Sequence, residues 1–119
     1  MAIVAPMSGV PYTLQNAATT GNGDVVCPPP SFRNHTITIS TPNSVTAGAI
    51  QVETADDPNY TGTWVAQGAA ISTVGTSGAN QVDKELTGVF TAIRARISTT
   101  ISGGAAPSVT VKYMGAKSY

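Results

Sequence analysis

Charged side chains are scarce in this sequence. Asp, Glu, Lys and Arg make up 10% of the 119 residues, against about 25% in a typical soluble domain. The six acidic and six basic residues balance to a formal net charge of zero, and the basic residues form no stripe. Proteins that bind nucleic acid carry a clustered positive surface, which displaces counterions from the phosphates. The sequence therefore predicts no nucleic-acid partner.

Cysteine and histidine occur once each, as Cys27 and His35. A lone cysteine excludes an internal disulfide, as in proteins made in a reducing cytoplasm. Zinc sites need paired Cys or His spacings, and catalysis needs converging titratable groups. Neither pattern occurs, so we expect no enzyme, no metal site and no cofactor. We interpret Cys27 as a small buried thiol and His35 as a histidine at the edge of a strand.

Long hydrophobic runs are also missing. The apolar runs span only a few residues between Gly, Thr or Ser, whereas a membrane-spanning helix needs roughly 20 apolar residues. The sequence therefore predicts no membrane partner. The first dozen residues lack a basic region followed by a sustained hydrophobic stretch, so we also expect that the chain has no signal peptide. Assembly should therefore take place in the cytoplasm.

What the sequence does have is a series of short alternating runs rich in Val, Ile and Thr. In the run 36–40, Ile37 and Ile39 fall on one face and three hydroxyl side chains on the other, the pattern of a half-buried strand. Turn residues separate the runs. Strands this short are stable only when two sheets pack face to face. The predicted fold is thus an all-β, antiparallel β-sandwich of about eight short strands, with a jelly roll as one possible topology. The predicted strands are 13–18, 24–27, 36–40, 49–54, 63–67, 82–86, 92–98 and 108–114.

The chain divides into an arm and a sandwich. Residues 1–12 contain Pro6, Gly9 and Pro11 without any sustained period, which predicts an extended N-terminal arm. Residues 13–119 form the predicted β-sandwich domain. Contacts with a neighbouring subunit or with the chain's own sandwich would hold the arm in place equally well. The predicted core consists of Ile37, Ile39, Ile50, Val52, Trp64, Phe90, Ile93, Ile97, Val109 and Val111.

Two groups of residues are candidate protein contacts. Arg94 and Arg96 share one face of a strand whose other face is apolar, where they could bind acidic groups of a partner. The alternative for this pair is a solvated face with Glu53 or Glu85 as counterion. The second group lies in the arm and consists of Ala2, Ile3, Val4, Pro6, Met7, Val10, Pro11 and Tyr12.

Tyr60 and Trp64 are a third feature. Exposed together, they could stack on a sugar ring. We favour a core position for Trp64, because a lone Trp at the start of a strand more often fills the interior of a sandwich.

Four stretches of the chain resemble a known class of protein. They run from Gly48 to Pro58, from Gly62 to Gly68, from Phe90 to Ile97 and from Val109 to Val111. Together they resemble the small β-sandwich virion structural proteins of tailed bacteriophages, which include capsid decoration (cement) proteins and head fibres. The resemblance covers most of the chain after Thr19, and its motifs name no ligand.

The resemblance implies a high-copy subunit, often a symmetric oligomer, on the outer surface of a capsid. We therefore predict a decoration protein that is assembled in the bacterial host cytoplasm, binds across major capsid subunits and stabilises the shell, with a homotrimer as the natural oligomer. Two alternatives remain open. One is a carbohydrate- or receptor-binding module of a tail or fibre tip, and the other is a tail or neck adaptor.

Overall fold

The described part of the chain forms ten β-strands. The computed structural model describes residues 2–41, 45–74, 80–104 and 106–117. Met1, Ser118 and Tyr119, at the outer ends of the two predicted regions, lie outside the described residues. The strands are β1 (Ile3–Val4), β2 (Tyr12–Ala18), β3 (Val25–Val26), β4 (Phe32–Thr41), β5 (Ala47–Ala55), β6 (Val65–Ala66), β7 (Ile71–Ser72), β8 (Asn80–Thr87), β9 (Ala92–Ser102) and β10 (Val109–Lys117).

The strands form two sheets with a nested order. The larger sheet runs β1-β3-β9-β5-β6, with β7 also paired to β5, and the smaller sheet runs β2-β10-β4-β8. Early strands therefore pair with late ones: β2 with β10, β3 with β9 and β4 with β8, all antiparallel. This rolled-up nesting over two sheets is the jelly roll. The predicted β-sandwich is confirmed, and its topology is the jelly roll.

Each of the eight predicted strands overlaps an observed one, and six of the observed strands extend beyond the predicted bounds. The prediction at 63–67 shrinks to Val65–Ala66, and β1 and β7, of two residues each, were not predicted. Among the described residues, no helix is long and apolar enough to span a membrane.

The main core lies between the sheets. Its largest fully buried members include Tyr113, Ile37, Ile50 and Ile93. Eight of the ten predicted core residues belong to this cluster, and Phe90 packs against it while partly buried.

Trp64 is buried elsewhere. It forms a second cluster with Val25 and Ala92. Along β9, Ala92 and Arg94 alternate with the core residues Ile93 and Ala95, so this cluster covers the outer face of the larger sheet. Trp64 is therefore buried, as predicted, but its predicted place between the sheets is wrong.

The first residues of the chain lie on the chain's own sheets. β1 pairs in parallel with β3, and the Ala2 amide donates to Asp24 Oδ1 at 2.9 Å. Further along, the Gly9 amide donates to the Gly115 carbonyl at 2.8 Å. Of the two holders considered for the arm, its own sandwich supplies these contacts.

Candidate functional site

The arm presents apolar side chains to solvent beside β10. Ser8 forms a parallel bridge with Gly115, so Met7 and Met114 occupy adjacent register positions. The Val10 amide donates to the Met7 carbonyl at 3.2 Å, which turns Val10 back beside Met7. Met7 is 71% exposed, Val10 48% and Met114 43%. We call these three residues the methionine patch.

The other predicted arm residues divide by burial. Ile3 is 44% exposed and lies on the larger sheet, in register with Val25. Tyr12 is half-buried, and its hydroxyl donates to Asp24 Oδ2 at 3.2 Å. Ala2 and Pro11 are exposed, Val4 is half-buried, and Pro6 is buried.

Arg94 and Arg96 converge on one carboxylate. β5 pairs with β9 so that Glu53 lies opposite Arg94. Arg94 Nε donates to Glu53 Oε1 at 2.9 Å, and Arg96 Nε donates to the same oxygen at 3.2 Å. The Arg94 side chain is 13% exposed and that of Arg96 37%. Glu53, one of the two counterions considered above, is the acid that both arginines bind.

Trp64 and Arg94 support each other on this face. The Arg94 guanidinium lies 4.2 Å from the Trp64 ring centroid, within the range of a cation–π contact. Trp64 Nε1 donates to the Tyr60 carbonyl at 3.0 Å. Trp64 is only 4% exposed, whereas Tyr60 is 46% exposed. A stacking platform made of both rings is therefore wrong, and Tyr60 alone presents its ring to solvent.

Two cavities flank Tyr60. The first has a volume of about 510 Å³ and the second about 420 Å³. We call them together the Tyr60 groove. The first is lined by Asn22, Asn59, Tyr60, Thr61, Trp64 and Arg94, among others. The second is lined by Thr54, Asp56, Tyr60, Val65, Val89 and Phe90, among others.

Cys27 and His35 do not meet. Burial raises the pKa of the Cys27 thiol, and the nearby Asp57 charge raises it further, which disfavours the nucleophilic thiolate. His35 is 1% exposed within β4, not at a strand edge as predicted. Its Nε2 lies 2.9 Å from the Gly88 carbonyl and its Nδ1 2.6 Å from the Tyr113 hydroxyl. Because a carbonyl only accepts, Nε2 carries the proton and Nδ1 accepts from Tyr113.

No group of three or more His, Cys, Asp or Glu residues within the described ranges could hold a metal ion.

The structure unites some of the predicted site residues and separates others. On the larger sheet, Ile3, Val25, Arg94 and Glu53 form one row across four strands. The methionine patch lies on the smaller sheet, away from that row. Met114 was missing from the prediction although its signal was present: it alternates with the inward residues of β10 and so must face outward.

Comparison with known proteins gives a likeness of fold. No family model matches the sequence, and no curated protein matches it. The crystal structure of the SPBc2 prophage-derived protein YomS matches with a TM-score of 0.58 and 23% identity, over 89% of this chain and 90% of that one. A CBM4 structure matches with a TM-score of 0.45 and 10% identity, over 80% of this chain and 59% of that one. The Tobacco streak virus coat protein dimer gives 0.35 and 9%, over 92% and 86%. The likeness to YomS shows that the two chains share a fold, and the two weaker likenesses support no further argument.

Proposed function

We propose that this protein is a decoration protein of a phage particle, which binds across major capsid subunits on the outer surface and stabilises the shell. It acts by burying surface and catalyses no reaction. The methionine patch is the observation that carries the proposal. Grouped exposed apolar side chains mark protein contact sites, and methionine adapts its shape to a partner surface.

The low charge of the chain supports the same role. With 10% charged residues and no formal net charge, copies repel each other weakly, and polar neutral surface is desolvated more cheaply than ionised groups. A contact of about 800 Å² per partner is the usual size for a specific interface. Repeated over several contacts, as in a homotrimer on a three-fold site, such interfaces add up to strong attachment.

Two lines of support connect the chain with phage particles. The stretches from Gly48 to Pro58 and from Phe90 to Ile97 resemble virion structural proteins of tailed phages, and the fold is shared with a prophage-derived protein. A tail or neck adaptor would use the same kind of contact and differ only in its location.

Co-sedimentation with emptied phage shells that lack this protein tests the proposal. Deleting the arm would be a poor test, because β1 covers the edge of β3 and its loss would affect folding. The double variant Met7→Ser, Val10→Ser removes only exposed side chains. Each buried large apolar side chain contributes roughly 1.5 to 3 kcal/mol, so we expect shell binding to weaken by at least about tenfold.

The matched control is Val65→Ser, which removes an exposed apolar side chain (61%) from the larger sheet. It should bind shells like the wild type, saturably and in fixed stoichiometry. Equal binding by the double variant would contradict the role of the patch. A protein that is monomeric in solution, as measured by sedimentation equilibrium, and that also binds the shell as a monomer would contradict the homotrimer.

A further inference from the structure

We propose that the Tyr60 groove binds an oligosaccharide, with one sugar ring on each side of Tyr60. The inference goes beyond shell binding and does not depend on it, because the groove and the methionine patch lie on different sheets. Four observations carry it: the exposed aromatic ring, the two cavities, their lining groups and the rigid support beneath them.

Tyr60 is placed as a ridge between two depressions. It lines both cavities and remains 46% exposed. A Cβ on Gly62 would collide with the Tyr60 ring, including its Cζ at 2.5 Å, so the absence of a side chain at Gly62 lets the ring fold down. An aromatic ring held in this way offers a flat apolar surface to the C–H face of a sugar, while its hydroxyl can bond to the sugar's rim.

The lining groups suit a ligand that is rich in hydroxyls. The first cavity is lined by Asn22 and Asn59, whose side chains are amides, by Thr61, which carries a hydroxyl, and by Arg94. No residue in the described part of the chain forms a hydrogen bond with either amide side chain. Amides both donate and accept, as sugar hydroxyls do, whereas guanidinium only donates. Such a mixture pairs with a polyhydroxyl better than with an acidic ligand, which would call for an excess of cations.

The second cavity continues the pattern on the other side of the ring. The Asp56 carboxylate can accept from two hydroxyls. Val65 and Val89, 61% and 51% exposed, form an apolar wall. Apolar walls with a few convergent polar groups are typical of small-molecule sites, and about 420 Å³ lies within the usual range of volumes.

The groove stands on a rigid base. Glu53 fixes Arg94 through a bond of 2.9 Å, and the Trp64 ring lies against its guanidinium. Trp64 in turn donates to the Tyr60 carbonyl. Because these groups are already held in place, binding would order few side chains, and less of the interaction energy would be lost as entropy.

An array of bacterial cell-wall, capsular and lipopolysaccharide glycans tests the inference, probed with labelled wild-type protein. The choice of bacterial glycans for the array rests on the proposed location of the protein on a phage particle. The inference that the groove binds an oligosaccharide does not rest on that location. The glycan that binds is then titrated in solution. Trp64 is the only tryptophan and lines the first cavity, so its fluorescence should change saturably.

Three variants make the test specific to the groove. Tyr60→Ala should weaken binding at least tenfold, Gly62→Ala should do so by displacing the ring, and Tyr60→Phe should bind within threefold of the wild type. All three must unfold thermally like the wild type. The double variant Met7→Ser, Val10→Ser should bind the glycan normally even where it fails to bind shells.

Several results would overturn the inference. One is the absence of saturable binding to any glycan on the array. Another is binding that survives both Tyr60→Ala and Gly62→Ala unchanged. Capture of peptides from the shell protein, without capture of any glycan, would assign the groove to a protein partner instead.

Discussion

Acidification should destabilise this protein in the pH window in which His35 titrates. The side chain is 1% exposed, and both ring nitrogens are engaged, with Gly88 and Tyr113. Burial lowers the pKa of His35 below its usual value, although the hydrogen bond to Gly88 opposes this shift. The folded state therefore holds the imidazole neutral at pH values where the unfolded chain already protonates it.

The sign of the effect follows from proton linkage. In the unfolded chain the His35 pKa is about 6.5. Below that pH the unfolded state binds one proton more than the folded state, so the free energy of unfolding falls as pH falls. The slope reaches at most about 1.4 kcal/mol per pH unit and levels off below the folded-state pKa of His35. For a domain of this size, 1 kcal/mol corresponds to a change in Tm of roughly 3 to 6 °C.

Urea unfolding followed by Trp64 fluorescence measures this slope between about pH 7.5 and about pH 5, above the range in which ordinary carboxylates titrate. The only histidine of the chain is His35, so His35→Gln is a direct control. This variant should be less stable at neutral pH but should lack the slope. A wild-type free energy of unfolding that is the same at both pH values, or an equal slope in His35→Gln, would refute the reasoning.

Two further predictions concern stability. Glu53→Gln removes the charge opposite Arg94, whose side chain is 13% exposed. It should lower the free energy of unfolding in urea by about 2 kcal/mol. A loss under about 0.5 kcal/mol would mean that the pair behaves like a surface ion pair. Gly48→Ala should cost about 2 kcal/mol in thermal unfolding, because φ is +147° and the new Cβ would lie 2.5 Å from Ile101 Cδ1. Gly21→Ala is the control, because φ is +109° but a Cβ there would have no atom within 4 Å. An equal loss of stability in Gly21→Ala would mean that the collision with Ile101 contributes nothing.

Local patterns predicted the strands because strand geometry is itself local. The run 36–40 places Ile37 and Ile39 on one face, and both are buried, at 0% and 2% exposure. The same alternation placed Arg94 and Arg96 outward. It could not choose between Glu53 and Glu85 as their counterion, since that depends on which strand lies beside β9.

The positions of loop residues could not be predicted from such local patterns. Trp64 lies just before β6, where no alternation indicates a direction, so its burial was predicted from residue type but not its side of the sheet. The Tyr60 groove likewise joins residues from separate turns, among them Asn22 and Asn59. No spacing along the chain relates these two positions.

The sequence by itself determined that this protein is all-β, that its strands are half-buried, and that it carries little charge, because alternation and composition act residue by residue. Only the tertiary structure decided the nested jelly-roll pairing, the single carboxylate shared by two arginines and the exposure of Tyr60 beside a buried Trp64. These features depend on the packing of distant segments, where the free energy of burial and hydrogen bonding is gained only once the whole sandwich has formed.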